Sequence, residues 1–175
     1  GPIIKDKLFV FGLVQAAKVE QQSYLADTQE HLENSSPQFL LKMDWNINDK
    51  NLLELTAFSD KNEDEITSYR SPAKYGTARG ALIGTDTYTT GGENLIAKYT
   101  SWITDDLTVS AMYGVGKYDR GSDIQSAACP FIRDYRVAPS LRYGCWTTSS
   151  ITAPGANDKR TAFRLDAEWN LGSHN

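Results

Sequence analysis

The sequence is poor in the residues that mark the commonest catalytic and metal sites. Its 175 residues include two cysteines and two histidines, and neither His31 nor His174 lies near a serine or cysteine with an acid at useful spacing. No Gly-x-Ser-x-Gly motif occurs, and no Cys/His spacing fits a zinc pattern. We therefore predict no enzymatic activity, no catalytic residues, no metal site and no cofactor.

Basic charge and long apolar runs are also scarce. Lys and Arg number 18 against 22 Asp and Glu, which gives a net charge of −4. Nucleic-acid binding normally needs a basic stripe, so no nucleic-acid partner is predicted. No apolar run approaches the roughly 18 to 20 residues of a membrane-spanning helix, which excludes a helical membrane protein.

Helical periodicity is weak, and alternation with a period of two is strong. In 38–47 every odd position is apolar, from Phe39 to Ile47, and in 161–171 the odd positions from Phe163 to Leu171 repeat the pattern. Such alternation is typical of strands with one apolar face. We predict an all-β, antiparallel up-and-down meander of about six strands, at about 7–18, 38–48, 51–59, 94–104, 107–117 and 160–171.

The predicted connections alternate between short and long. Short turns fall at 48–51 and 104–106, and long loops at about 19–36, 60–92 and 118–159, with Gly91-Gly92 read as a turn. Ten-residue alternating strands with short turns at one end and long loops at the other are typical of outer-membrane β-barrels. We therefore expect localisation in the bacterial outer membrane, with the long loops extracellular.

In this interpretation the odd positions face lipid and the even positions face the lumen. The predicted lipid-facing or girdle residues are Phe39, Met43, Trp45, Tyr113, Phe163, Leu165 and Trp169. The predicted lumen-facing residues are Lys42, Asp44, Glu54, Lys98, Arg164, Asp166 and Glu168. Trp102 has the other parity, so either a bulge shifts the register or its side chain points inward. A soluble barrel or sandwich remains the alternative, because half-buried sheets also alternate.

Two parts of the sequence resemble a known family. The opening residues 1–12, GPIIKDKLFVFG, resemble the plug-to-barrel junction and first strand of TonB-dependent outer-membrane receptors of the Oar-like subgroup, which carry a carboxypeptidase-regulatory-like domain. Residues 42–57 resemble that family's second and third strands with their periplasmic turn, and 160–166 fits a later strand. The similarity covers the strands and hardly touches the loops.

The resemblance implies a barrel of about 22 strands filled by a plug, which takes up a scarce substrate with energy from the TonB complex. The plug and the TonB box are not recognised in this sequence. We therefore expect these residues to be the first part, or partial arc, of a larger transmembrane β-barrel. The expected partners are the lipid bilayer and lipopolysaccharide, the TonB complex through a missing N-terminal region, the remaining strands and plug, and an unknown substrate.

The third long loop carries two further predictions. An extracellular loop lies in an oxidising environment, so Cys129 and Cys145 are expected to form a disulfide, with two free thiols as the alternative. Basic and aromatic residues in the same loop are typical of binding surfaces, and anionic lipopolysaccharide would suit them as well. The candidate ligand-contacting residues are Arg133, Tyr135, Arg136, Arg142, Tyr143 and Trp146.

Other functions remain open at this point. A structural or adhesive outer-membrane barrel would lack energised transport, and a soluble lectin-like β-protein would pack its apolar positions into a dry core. The acidic stretch from Asp60 to Glu65 could ligate calcium, but a solvated acidic loop is the simpler interpretation.

Overall fold

The chain forms long antiparallel strands. The computed structural model describes residues 1–124, 132–138, 140–143 and 153–172. These residues contain strands and no helix, and the sheet curls into a half-barrel, which confirms the all-β, antiparallel prediction. Accordingly, no helix in the described ranges is long and apolar enough to span a bilayer. The closed 22-stranded barrel stays a prediction.

The described residues form more strands than the six predicted, because several predicted strands continue after a short break as a further strand. The strands are β1 Pro2–Ile4, β2 Leu8–Gln15, β3 Val19–Tyr24, β4 Thr28–Asn34, β5 Gln38–Asn48, β6 Asn51–Ser59, β7 Asn62–Arg70, β8 Leu82–Trp102, β9 Leu107–Asp119, β10 Ser122–Ile124, β11 Ile132–Asp134, β12 Leu141–Tyr143 and β13 Asn157–Trp169.

The lower part of the sheet contains the six predicted strands in meander order. β2 pairs with β5, β5 with β6, β6 with the second half of β8, β8 with β9, and β9 with β13. β5 and β6 match the predicted segments 38–48 and 51–59. β1 pairs with the start of β2 on its other edge.

The upper part of the sheet repeats the same order of neighbours. β3 pairs with β4, β4 with β7, β7 with the first half of β8, and β8 with β10. The register does not slip between the two parts: Gln15 is opposite Gln38, and four residues further along each strand Val19 is opposite Asn34. β3, β4, β7, residues 82–90 of β8 and β10 therefore form an extension of the lower sheet, which we call the extension.

This extension corrects the predicted loops. Residues 19–36 contain β3 and β4, and residues 60–92 contain β7 and half of β8. The segment 118–159 contains the end of β9, the strands β10 to β12 and the start of β13. Alternation is hard to recognise in the extension because both of its faces carry polar residues, and strands without a dry face have a weak sequence signal.

Side-chain hydrogen bonds hold the short turns at the lower end. The Asn48 side-chain oxygen accepts hydrogen bonds from Lys50 N at 2.9 Å and Asn51 Nδ2 at 2.7 Å. In the second turn, Thr104 Oγ1 accepts from Leu107 N at 3.0 Å. These residues hydrogen-bond their own backbone locally, which is why they favour tight turns.

Gly91 and Gly92 lie inside β8 and not in a turn, contrary to the sequence prediction. They mark the junction between the lower sheet and the extension, where Asp60 N donates to Gly92 O and Gly92 N donates to Asp60 Oδ1. A Cβ on Gly92 would lie 1.7 Å from the Lys117 carbonyl oxygen. The close approach of the β9 backbone therefore requires glycine at this position.

β2 also differs from expectation. Its apolar residues on both faces suggest a strand buried on both sides, but Val14 is 71% exposed and Leu13 is exposed too. β2 is near an edge of the sheet, and within the described ranges no strand beyond β1 pairs with its outer side.

Candidate functional site on the two faces of the sheet

The unbroken register sorts the side chains of the lower sheet into two faces. Residues opposite each other in a ladder point to the same side, and successive residues point to opposite sides. Met43 is opposite Val10 on one neighbour and Leu55 on the other, and the row continues to Ala97, Tyr113 and Phe163. Every residue in this row is apolar.

We call the side that carries Met43 the apolar face. Its residues across the six lower strands form an uncharged surface, which we call the band. The band consists of Leu8, Val10, Gly12, Val14, Phe39, Leu41, Met43, Trp45, Ile47, Leu53, Leu55, Ala57, Leu95, Ala97, Tyr99, Leu107, Val109, Ala111, Tyr113, Val115, Phe163, Leu165, Ala167 and Trp169.

All seven residues that the sequence assigns to lipid contact or a girdle lie in the band. Many of its large side chains are exposed, and Phe163 is 69% and Leu165 64% exposed. A soluble protein rarely leaves so large a contiguous apolar surface exposed. The band therefore requires an apolar partner outside the described residues.

The band runs obliquely to the ladder rows. The row of Phe39 reaches Lys159 on β13, four residues before Phe163, where the band begins on that strand. The upper limit of the band thus shifts by four residues over the four strand-to-strand steps from β5 to β13. The lower limit follows no single line, because the band ends at Leu53 on β6, opposite Trp45, but continues to Ile47 on β5.

This shift corresponds to a strand tilt. One residue of about 3.3 Å per strand spacing of about 4.8 Å gives a tilt of about 35° between the strands and the normal to the band. From Phe39 to Ile47 the band extends about 26 Å along the strand, or about 22 Å after correction for the tilt. On β6, from Leu53 to Ala57, and on β8, from Leu95 to Tyr99, the band extends about 13 Å along the strand.

The opposite side, the polar face, carries all seven residues predicted to face the lumen. Glu54 lies between two lysines, with Lys42 Nζ at 3.7 Å and Lys98 Nζ at 3.5 Å from its carboxylate, and Lys42 Nζ is 3.4 Å from Asp44. Arg164 pairs with Asp166 at 2.8 Å. Met112 separates Lys98 from Arg164 in the row, so the structure brings the predicted charges together in two groups.

These ion pairs are partly exposed, with relative side-chain exposures between 25% and 67%. Pairs of this kind contribute about 0 to 1 kcal/mol to stability. The arrangement neutralises charge along the polar face.

Small residues on the polar face leave a shallow cavity between β8, β9 and β13. It has a volume of about 350 Å³, and Gly114, Gly116 and Ala162 line it together with Asn94 and Arg160. The sequence signal for this cavity is the run of small residues at even positions of β9.

Trp102 lies on the polar face. The β8 and β9 ladder runs without a register shift from Gly91 to Trp102, and Trp102 is opposite Thr108. No bulge is therefore needed, and Trp102 shares its face with Lys98.

A loop over the extension, residues 71–81, is a feature that the sequence does not indicate. Gln29 is 1% exposed, and its Nε2 donates to the carbonyl oxygens of Gly76 at 2.6 Å and Ala78 at 2.7 Å. Arg79 lies over the Tyr69 ring at 5.0 Å and donates to Gln22 Oε1. Gln29 thus fixes the loop against the sheet.

Replacing Gln29 by alanine is expected to release residues 71–81 while the sheet stays folded. The change leaves two carbonyl oxygens without their donor, at a cost of about 2 kcal/mol. Hydrogen exchange at the amides of Ser71, Tyr75 and Gly80 should therefore accelerate roughly 30-fold. Gln22→Ala is the matched control, because it removes the acceptor for Arg79 and a hydrogen bond to Glu30 O but leaves Gln29 in place. It should change exchange less than threefold, and equal exchange in both variants would show that Gln29 does not hold the loop.

The hairpin of β11 and β12 brings the predicted ligand-contacting residues together. Arg133 is opposite Arg142, and Tyr143 is opposite Ile132. Arg133 lies over the Tyr135 ring at 5.1 Å, and Tyr135 is exposed. Cys129, Cys145 and Trp146 lie outside the described residues, so the disulfide stays a prediction.

Arg136 is less available for a ligand than the sequence suggests. Its Nη2 donates to Asp134 Oδ2 at 2.8 Å, and its Nε donates to Asp134 Oδ1 at 2.9 Å. The hydrogen bonds from Arg136 hold the pKa of the Asp134 carboxyl below its usual range. Arg133 is exposed as well, and its Nε donates to Ser140 Oγ at 3.0 Å.

The acidic stretch does not converge on one point. Glu63 and Glu65 share a face of β7, while Asp64 points to the other face and accepts hydrogen bonds from Asn34 and Asn62. Within the described ranges no group of three or more acidic, histidine or cysteine side chains is arranged to hold a metal ion.

Comparisons with known proteins identify no relative of this chain. No family model matches the sequence, and neither a curated protein nor a solved structure is significantly similar to it. The functional argument therefore rests on the two faces of the sheet.

Proposed function

We propose that the chain is the N-terminal part of an outer-membrane β-barrel receptor of the TonB-dependent, Oar-like class, which mediates energised uptake of a scarce substrate. The band contacts lipid, the polar face lines the lumen, and the extension and the β11–β12 hairpin project outside the cell. The observation that carries the proposal is the band, because it is apolar across all six lower strands and contains no charged residue.

The dimensions of the band support a membrane setting. Outer-membrane barrels have an outward apolar belt about 25 Å tall crossed by strands tilted by about 35–45°. On β5 the band has a height of about 22 Å, and the shift of its upper limit corresponds to a tilt of about 35°.

The polar face supports a lumen setting. Its lysines and carboxylates are paired but partly exposed, as is expected for a surface that meets water or another polar surface. The outer edge of β13 has no neighbour among the described strands. Open edges in lipid would leave backbone groups unsatisfied, so further strands are required to close the wall.

The transport part of the proposal rests on the resemblance of residues 1–12 and 42–57 to the family. It implies a plug and contact with the TonB complex through residues outside this sequence. A structural or adhesive barrel is the second candidate, and a soluble lectin-like protein is the third. The third would need a second layer over the band, which the described residues do not provide.

An intact-mass measurement with terminal peptide mapping, on protein isolated from cells, is the direct test. We expect a mass several times 19.4 kDa, with Gly1 internal and the protein in the membrane fraction. A mass of 19.4 kDa in detergent-free solution would refute the receptor. Loss of uptake on removing TonB would separate the receptor from an adhesive barrel.

A further inference from the structure

Lysines on the apolar face lie just beyond the upper limit of the band, where the extension begins. On β9, the first residue on the apolar face after the band residue Val115 is Lys117. On β6, the second residue on this face after the band residue Ala57 is Lys61. Lys159 is the second beyond Phe163 on β13. Lys18, the second position beyond Val14 on β2, completes a set of four.

These lysines recur on four of the six lower strands at nearly the same height above the band. The exceptions are β5, where Pro37 and Ser35 occupy these positions, and β8, where Glu93 does. At the lower limit of the band, next to the short turns, no lysine among the described residues lies at a corresponding position on the apolar face. The first charged or polar residues there are Asp6, Asp49, Asn51, Ser101 and Asp105.

The carboxylates near these lysines either lie farther from the band than the lysines do, or lie at the edge of the band on a neighbouring strand. Lys18 pairs with Glu20, and Lys117 pairs with Asp119 at 2.8 Å, and in both pairs the lysine is nearer to the band. Lys18 and Lys61 also line one cleft of about 430 Å³ with Ser35. Three carboxylates, those of Glu33, Glu63 and Glu65, line the side of this cleft away from the band.

We propose that Lys18, Lys61, Lys117 and Lys159 form a belt that binds the phosphate groups of anionic lipid in the leaflet on the side of the extension, an inference that rests on the proposed membrane location of the band. A lysine stem packs along apolar surface while its ammonium group reaches the headgroups. Each such lysine near an anionic surface contributes favourably to membrane binding. Residues this close to an apolar band meet headgroup phosphates before any soluble ligand.

The test uses the full-length protein that contains this segment, purified in a non-ionic detergent, with diphosphoryl lipid A as the probe. Native mass spectrometry measures the apparent Kd for lipid A and, separately, for phosphatidylcholine. The belt variant carries Lys18→Gln, Lys61→Gln, Lys117→Gln and Lys159→Gln. The control variant carries Lys5→Gln, Lys7→Gln, Lys50→Gln and Lys74→Gln, which removes the same charge away from the belt.

We expect the belt variant to bind lipid A at least tenfold more weakly, with phosphatidylcholine binding unchanged, while the control stays within twofold of the wild type. Equal binding by wild type and belt variant, or an equal loss in both variants, would overturn the proposal. Trypsin resistance of each variant in detergent checks that folding is intact, and the single variants Lys61→Gln and Lys159→Gln replace the quadruple variant if it does not fold. Wild-type protein that is monodisperse without detergent would instead refute the membrane location itself.

Discussion

Replacing Leu55 by arginine is expected to abolish assembly of the protein into membranes. Leu55 lies at mid-height of the band, between Met43 and Ala97 in its row. An arginine on the lipid face near the bilayer midplane costs about 2 to 4 kcal/mol. The fraction of protein that resists trypsin in the membrane fraction should fall at least tenfold relative to the wild type.

The adjacent substitution Thr56→Arg is the control, because it introduces the same side chain on the polar face. Thr56 is opposite Lys42 and two residues from Glu54 on the same face, so the new guanidinium stays on the polar face with a carboxylate within reach. Assembly of this variant should stay within twofold of the wild type. Equal behaviour of the two variants would refute the assignment of the faces.

Among substitutions that add a single methyl group, the largest loss of stability is expected at Gly92, at the junction in β8. Gly92→Ala places a Cβ 1.7 Å from the Lys117 carbonyl oxygen, and the obstructing atom is backbone. The β8 and β9 backbones must separate to accept it, which would disrupt the ladder that joins the lower sheet to the extension. We expect at least about 3 kcal/mol of destabilisation, measured by urea unfolding in detergent.

Gly114→Ala provides the comparison in the neighbouring strand. Its Cβ would meet Ile96 Cγ1 at 3.8 Å and Leu95 O at 3.9 Å, which are ordinary contacts. Alanine also favours a strand over glycine, so unfolding should shift by less than about 1 kcal/mol. A Gly92→Ala protein as stable as Gly114→Ala would show that the β8 and β9 backbones do not approach each other as described.

The lower sheet could be predicted from the sequence because each strand there has one apolar face. The pattern of β5, with Phe39, Leu41 and Met43 alternating with polar residues, fixes both the strand and its register. The faces of the predicted lumen and lipid residues follow from parity alone. Trp102 violates the expected parity, and only its pairing with Thr108 determines which side it takes.

The extension could not be predicted from the sequence because its strands have no apolar face. Its strands pair by backbone hydrogen bonds that any residue can make, and residues such as Glu33, Glu63 and Glu65 read as loop in a single sequence. The same applies to Gly91 and Gly92, whose role depends on how close Asp60 and Lys117 lie. The four lysines beyond the band are unremarkable in the sequence because they come from strands far apart in the chain.

The constant register between the lower sheet and the extension limits how such a chain can change in length. Inserting one residue at the start of β6 would turn every later side chain of that strand to the opposite face and would place Glu54 on the apolar face. Gains and losses of residues are therefore compatible with this wall chiefly at the tips of the extension or in the short turns. We expect homologous chains to vary in length at those places, while the distance in residues from the turns to the junction near Gly92 stays constant.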